Sequence, residues 1–300
     1  MSLSVSANEK SFDQKFIQIA AKDKVERSAI ANQGGSIEAV RSDSVWAFAN
    51  DLQIASLRAA GHKIMGTFDA STAKGGHETV FGFPPADARF HDYAEMNAEL
   101  TDLSTRHSDI SRMVSLGKTL EGRDMWAIHV NTSSEALISG QSNKPGAIFM
   151  GNHHAREHLS AEVPLMLLQH ILTNRDQPAM RAMLETRDIW VIPMVNPDGV
   201  EWDIASGRYR MWRKNRRNNG DGTYGVDLNR NYGFGWGTGG SSRDPSSDVY
   251  MGTSAFSEPE TAVIRDFVSS HLNAKVLLSF HTFSELVLYP WGGKNDPIQN

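Results

Sequence analysis

The chain has 300 residues, enough to bury a sizeable core in one large domain or two ordinary ones. With 40% hydrophobic and 22% charged residues it sits near the soluble-protein average, which excludes disordered, collagen-like and coiled-coil classes. The net charge of −5 gives no general attraction to nucleic acid or anionic lipid, and the lack of cysteine leaves only His and carboxylate groups to hold a metal.

Residues 1–10 lack a basic region followed by an apolar run, and no stretch reaches the length of a membrane span. Either the protein is cytosolic or a signal peptide lies outside this sequence. Residues 15–21 alternate apolar and polar like a strand, 24–33 are helix-like, 37–49 offer two short strands around 41–44, 52–60 are helical, and 63–68 form a last strand. That order, βαββαβ, predicts a small ferredoxin-like unit over residues 1–70. Residues 71–83 are rich in Gly, Ser and Thr, contain Lys74 and show no period, which suits an exposed linker open to proteolysis.

From residue 84 onward the pattern predicts an α/β domain: a helix over 93–105, strands over 113–116, 125–130 and 147–150, a helix over 160–173 and a strand over 189–195. Pro193 removes a ladder donor and is expected at a bulge or edge. Ser257 followed by Glu260 reads as a capping box opening a helix with Val263, Ile264, Phe267 and Val268 on one face. A strand over 275–280 then delivers His281 at its C-terminal end, the edge where open α/β sheets bind ligands.

Gly151-Asn152-His153-His154-Ala155-Arg156-Glu157-His158 lies between a buried-looking strand and a helix. His154 and Glu157, about one helical turn apart, can reach a single cation from one side. A third ligand must come from elsewhere, with His281 the best candidate, and the fourth position is left to water. A competing reading makes His154-x-x-Glu157-His158 an inverted zincin helix, with both histidines as ligands and Glu157 as base; it requires a continuous helix. The metal-free alternative is a merely polar loop.

Downstream stand Asn196-Pro197-Asp198-Gly199, read as a turn, then Arg210-Met211-Trp212-Arg213-Lys214-Asn215-Arg216, Val226-Asp227-Leu228-Asn229-Arg230-Asn231, and Ser279-Phe280-His281-Thr282-Phe283-Ser284-Glu285-Leu286. Taken with His154-Ala155-Arg156-Glu157, these blocks resemble in order and spacing the zinc metallocarboxypeptidases of the carboxypeptidase A type, most nearly the bacterial carboxypeptidase T group. The resemblance runs over about residues 83–300.

It implies one zinc ion held by His154, Glu157 and His281, with Asp227 orienting His154. It implies that Asn229 and Arg230 grip the terminal carboxylate of a peptide or protein, that Arg213 acts catalytically by polarising the scissile carbonyl, and that Arg156 assists binding. Thr282 and Phe283 would line the substrate side, Phe283 where the family often has a tyrosine. The implied architecture is a mixed-sheet catalytic domain over 84–300 behind a propeptide over 1–70. An activating protease would cut near 71–83, and the protein would be a secreted or periplasmic monomer.

Six of the ten residues over 208–217 are basic, with Tyr209 and Trp212 interleaved, which a nucleic-acid reading would take for phosphate contacts and a stacking platform. The acidic chain as a whole weighs against it. Only nineteen residues follow His281, whereas the family's catalytic domain continues further and carries there its general-base glutamate, a capping tyrosine and much of the specificity pocket. Glu285 reads as structural. The expectation is a truncated or degenerate copy, inactive or weakly active, with an uncovered sheet edge. A zinc- and peptide-binding module without turnover, or a bacterial cell-wall peptidase on the same fold, are the alternatives.

Overall fold

The computed structural model describes residues 15–33, 35–69, 83, 87–205, 207, 209–282 and 287–288; the expected linker (Phe83 apart), Phe283 and Glu285 lie outside the described residues. The first unit runs β1 (Lys15–Ala20), α1 (Lys24–Asn32), β2 (Ser36–Val40), β3 (Ser44–Ala49), α2 (Asp51–Ala59) and β4 (Ile64–Asp69). Its sheet has the order β2-β3-β1-β4 with every pair antiparallel, a ferredoxin-like topology. Alternation along β1 and β3 sends Ile17, Ile19, Val45 and Ala47 inward to pack with Ile30, Ile54 and Leu57 from the two helices. The opposite face carries Phe16, Trp46, Phe48 and Phe68, in ring contact at 4.9–5.4 Å between centroids.

The larger unit contains α3 (Tyr93–Arg106), β5 (Ser111–Lys118), β6 (Asp124–Val130), α4 (Ser134–Ser139), β7 (Gly146–Gly151), α5 (Leu159–Thr173), α6 (Pro178–Thr186), β8 (Asp188–Ile192), α7 (Pro197–Ile204), α8 (Pro259–Ser270) and β9 (Ala274–Phe280). Its sheet order is β5-β6-β8-β7-β9, antiparallel from β5 through β8 and parallel from β8 through β9. Central β8 is buried on both faces: Ile189 and Val191 pack with Leu165, Leu168 and Leu172 of α5, while Trp190 and Ile192 pack with Ile264 and Phe267 of α8. Strand β9 lies at the sheet edge and exposes Val276, Leu277 and Leu278, so an apolar strand edge faces solvent among the described residues.

Three local expectations are corrected. Strand β8 stops at Ile192 with neighbours on both sides, so Pro193 follows the strand and needs neither a bulge nor an edge. Asn196-Pro197-Asp198-Gly199 is the first turn of α7, where the Asn196 side chain accepts from Gly199 N at 3.1 Å and Pro197 occupies a position needing no N–H. Helix α8 is capped at Glu258 without a side-chain capping bond. The Ser257 hydroxyl instead donates to Glu258 Oε1 at 2.8 Å, and Glu260 turns into the interior to accept from Asn215 Nδ2 at 3.2 Å.

Burial of Glu260 pushes its carboxyl up from the usual 4.5 to about 7; Glu258 and Asp198 add to this and the Asn215 bond opposes it. Between those two values the native state keeps a proton that the unfolded chain has released, so this group lowers stability as pH rises through that window. Glu260→Gln is therefore expected to stabilise the fold at pH 8 by roughly 2–3 kcal/mol and to give no such gain at pH 4, as read from urea unfolding. Equal gains at both pH values would contradict this account.

Candidate metal centre

In the parallel pair β7·β9, Gly151 stands opposite Phe280, so the segments that follow both strands leave the sheet at the same edge. This register brings His154 and Glu157 to His281 across more than a hundred residues. Gly151 is required for the turn, since an added Cβ would lie 1.9 Å from Ser160 O. Asn152 takes a left-handed φ of 57° and is held there by Asn152 N donating to Ser160 Oγ at 3.1 Å and Nδ2 donating to His154 O at 3.2 Å.

Ligand atoms from three side chains converge. His154 Nδ1 is 2.6 Å from Glu157 Oε1, His281 Nδ1 is 3.0 Å from Glu157 Oε2, and the two Nδ1 atoms are 3.2 Å apart. Atoms each about 2.1 Å from a tetrahedral zinc stand about 3.4 Å apart, so a small inward offset separates this cluster from a ligated one. The second nitrogens agree with that use. His154 Nε2 faces Asp227 Oδ1 at 3.2 Å and His281 Nε2 faces Ser279 Oγ at 3.3 Å, acceptors that can take the ring protons when both Nδ1 atoms serve a metal ion; without one, the Nδ1 atoms donate to Glu157. Thr282 N donates to Glu157 Oε2 at 3.1 Å and steadies the carboxylate. Among the described residues, these three side chains form the group able to hold an ion.

Burial raises the Glu157 carboxyl, but the charge and hydrogen bond of His154, together with His281, carry it well below the usual carboxylate range. Asp227 behaves likewise: complete burial opposes ionisation, and Arg213 and His154 overcome it, with a further contribution from Arg230. Arg213 Nε donates to Asp227 Oδ2 at 3.0 Å, so one buried carboxylate ties the guanidinium to the imidazole of His154. The Arg213 carbonyl accepts from Ala155 N at 3.0 Å, fixing its segment to the His154 loop.

Asn229 and Arg230 lie on a short 3₁₀ turn (Leu228–Arg230) directly after Asp227, with Asn229 exposed and Arg230 half-buried. Arg230 Nε donates to Gly240 O at 2.6 Å. Arg156 points elsewhere: it donates to Asp248 Oδ2 and to Ser36 Oγ, each at 3.0 Å, and its guanidinium lies 4.1 Å from the Phe48 ring centroid, both of the latter in the first unit. His158 is not part of the cluster. Its Nε2 donates to Asp203 Oδ2 at 2.8 Å, and residues 152–158 form turns instead of the continuous helix that the inverted zincin reading requires.

Sequence reasoning passed over His153, Ser279, Tyr232 and Asp203 as site residues. His153 is buried, and burial, with the neighbouring His281 and His154, lowers it to about 3, so it is neutral. Asp203 accepts from Trp212 N at 2.6 Å as well as from His158, linking the segment before Arg213 to the one after Glu157. No spacing rule signals such pairs.

Fold and site together bring two imidazoles and one carboxylate, a set able to hold a metal ion, to the C-terminal edge of a mixed α/β sheet. A model of the zinc carboxypeptidase family, Peptidase M14, matches residues 96–300, and the chain belongs to that family. A zinc carboxypeptidase of Saccharothrix mutabilis subsp. capreolus is 32% identical over 295 residues, covering 93% of this chain and 67% of that protein. A metallocarboxypeptidase A-like protein of Trichophyton verrucosum is 36% identical over 208 residues, covering 68% of this chain and 47% of its own length. The crystal structure of carboxypeptidase A from Helicoverpa armigera shares the fold, with a TM-score of 0.71 at 24% identity, over 92% of this chain and 71% of that one. The chain spans about half the length of several relatives it matches.

No helix among the described residues is long and apolar enough to cross a membrane.

Proposed function

We propose that the chain belongs to a zinc-dependent carboxypeptidase precursor that removes residues from the C-terminal ends of peptides or proteins. The observation that carries this reading is the convergence of His154 Nδ1, Glu157 and His281 Nδ1 beside a guanidinium held on the same buried Asp227. Zinc bound there would polarise a carbonyl and acidify a water molecule. Arg213, anchored through Nε, is oriented to stabilise charge developing on the scissile carbonyl oxygen. Arg230 and Asn229, on the accessible turn beyond Asp227, supply a planar cation and an amide suited to a chain-terminal carboxylate. Thr282, directly after His281 and bonded through its N to Glu157, is suited to line the substrate side.

The carboxylates that touch this cluster among the described residues are Glu157 and Asp227, and both are engaged by cationic or imidazole groups. With no further carboxylate at the cluster among the described residues, those residues by themselves are expected to support turnover about 10²–10⁴-fold slower than a site with a positioned base. The unit over residues 1–70 acts as a propeptide. Support comes from Arg156, the residue expected to assist substrate binding, which instead donates to Ser36 and lies against the Phe48 ring of that unit. Release by a protease cutting within 71–83, in a secreted or periplasmic setting, would free it; the chain works as a monomer.

Calorimetry on the zinc-loaded chain tests this before and after tryptic cutting at Lys74. An N-blocked dipeptide with a free carboxylate is expected to bind at least about tenfold better than its amide, because a charged, desolvated pair is lost in the amide. Binding should increase on cutting, and Arg230→Ala should erase the preference. Equal binding of acid and amide would refute the exopeptidase reading. Hydrolysis at the rate of a base-equipped enzyme, abolished by chelation, would refute the claim of slow turnover.

A further inference from the structure

His154 and His281 are secured differently. His154 is buried and its second nitrogen meets the ionised Asp227. His281 follows the edge strand β9, its side chain is 31% exposed, and the partner on its second nitrogen is a hydroxyl, Ser279 Oγ, at 3.3 Å. Ser279 and His281 are two residues apart in extended chain and therefore share a face. A serine hydroxyl rotates freely unless its own proton is claimed, so something must fix Ser279 if it is to fix His281.

That something is His153, the residue before the first ligand. Its Nδ1 stands 3.2 Å from Ser279 Oγ and its Nε2 2.8 Å from Tyr232 OH. The His153 ring is 2% exposed and lies stacked with His281, at 5.7 Å between centroids and 22° between planes, with Tyr232 as a second aromatic neighbour at 5.8 Å. With a metal ion taking the His281 Nδ1 lone pair in place of the Glu157 contact, one assignment of protons fits the chain: His281 Nε2 donates to Ser279, Ser279 donates to His153 Nδ1, and His153 Nε2 donates to Tyr232. In that assignment His281 Nδ1 is left as an acceptor at the metal point.

We propose that His153 and Ser279 are positioning residues for His281, a hydrogen-bonded relay from Tyr232 that sets the tautomer and ring angle of the exposed ligand. The inference rests on the reading of His281 as a metal ligand. It gives an exposed edge-strand histidine the orienting partner that Asp227 provides for His154. A bland role for His153, as a buried ring that merely fills space beside Tyr232, predicts no effect on metal binding when a ring of similar volume replaces it.

Zinc affinity, measured by competition with a chelator, and the visible spectrum of the Co²⁺-loaded protein distinguish the two. His153→Phe and Ser279→Ala are each expected to weaken zinc binding about tenfold and to alter the cobalt spectrum, the usual scale for losing an outer partner of a metal-bound histidine. The double variant should be no weaker than either single one, because both break the same relay. His153→Asn, whose Oδ1 takes the place of Nδ1, should recover most of the loss. Wild-type affinity in both single variants, multiplying losses, or His153→Asn as weak as His153→Phe would overturn the relay. Should His153→Phe fail to fold, Ser279→Ala on the exposed strand decides alone, since it disturbs no core packing. Wild-type protein that binds no zinc would instead remove the metal reading itself.

Discussion

His281→Ala is expected to lower zinc affinity by more than about 100-fold, whereas His158→Ala leaves it within about threefold. Losing an outer partner of a ligand histidine already costs about 10–100-fold, so losing a ligand outright must cost more. His281 supplies one of three atoms at the cluster, and its Nδ1 is the link between the early and late halves of the site. His158 is directed at Asp203 on α7, away from the convergence point. Chelator competition on the two variants gives the answer directly. Metal lost from His158→Ala and retained by His281→Ala would reverse the ligand assignment and restore the inverted zincin reading.

The contrast between these histidines also marks what the sequence could and could not disclose. Long segments with a clear period were readable: α5, α3 and the alternating strand β1 fall within a residue or two of where the pattern puts them. Helix α4 has six residues, too few to show a period, although Ser133 and Gly140 cap it as expected of a helix of any length. The capping box at Ser257 misled because a side-chain network competed for the same groups. Asn231 donates to the serine hydroxyl and accepts from Glu258 N, which leaves Glu260 to Asn215. The cluster itself was legible because each strand end carries its ligand within a recognisable block. The contacts His153–Ser279 and His158–Asp203 join residues 126 and 45 apart through sheet register and helix packing, which no local spacing encodes.

Asp227→Ala is expected to cost about 3–5 kcal/mol of stability in the metal-free protein, the usual result of leaving one member of a buried ion pair uncompensated. Asp227 is fully buried and meets Arg213 Nε, His154 Nε2 and Asn229 N at 3.0, 3.2 and 2.9 Å. Removing it takes from the 5%-exposed Arg213 guanidinium the carboxylate to which its Nε donates. Asp227→Asn keeps the volume and one acceptor, and should cost less while still losing the charge. The pH dependence has a fixed sign. Burial works against ionisation of Asp227, but Arg213 and His154 hold its folded value well below the usual 3.8. Its contribution is therefore complete above that usual value and is lost as pH falls through the folded one. The stability gap between wild type and Asp227→Ala, followed by urea unfolding, should narrow steadily below about pH 4; above about pH 5 it also follows the imidazole of His154, which burial lowers but Glu157 and Asp227 together raise. A gap that widens below about pH 4 would mean that the carboxylate is not ionised in the fold. Arg213 would then lack the counter-charge that keeps it aimed at the substrate carbonyl, and the proposed division of labour around the metal would fail with it.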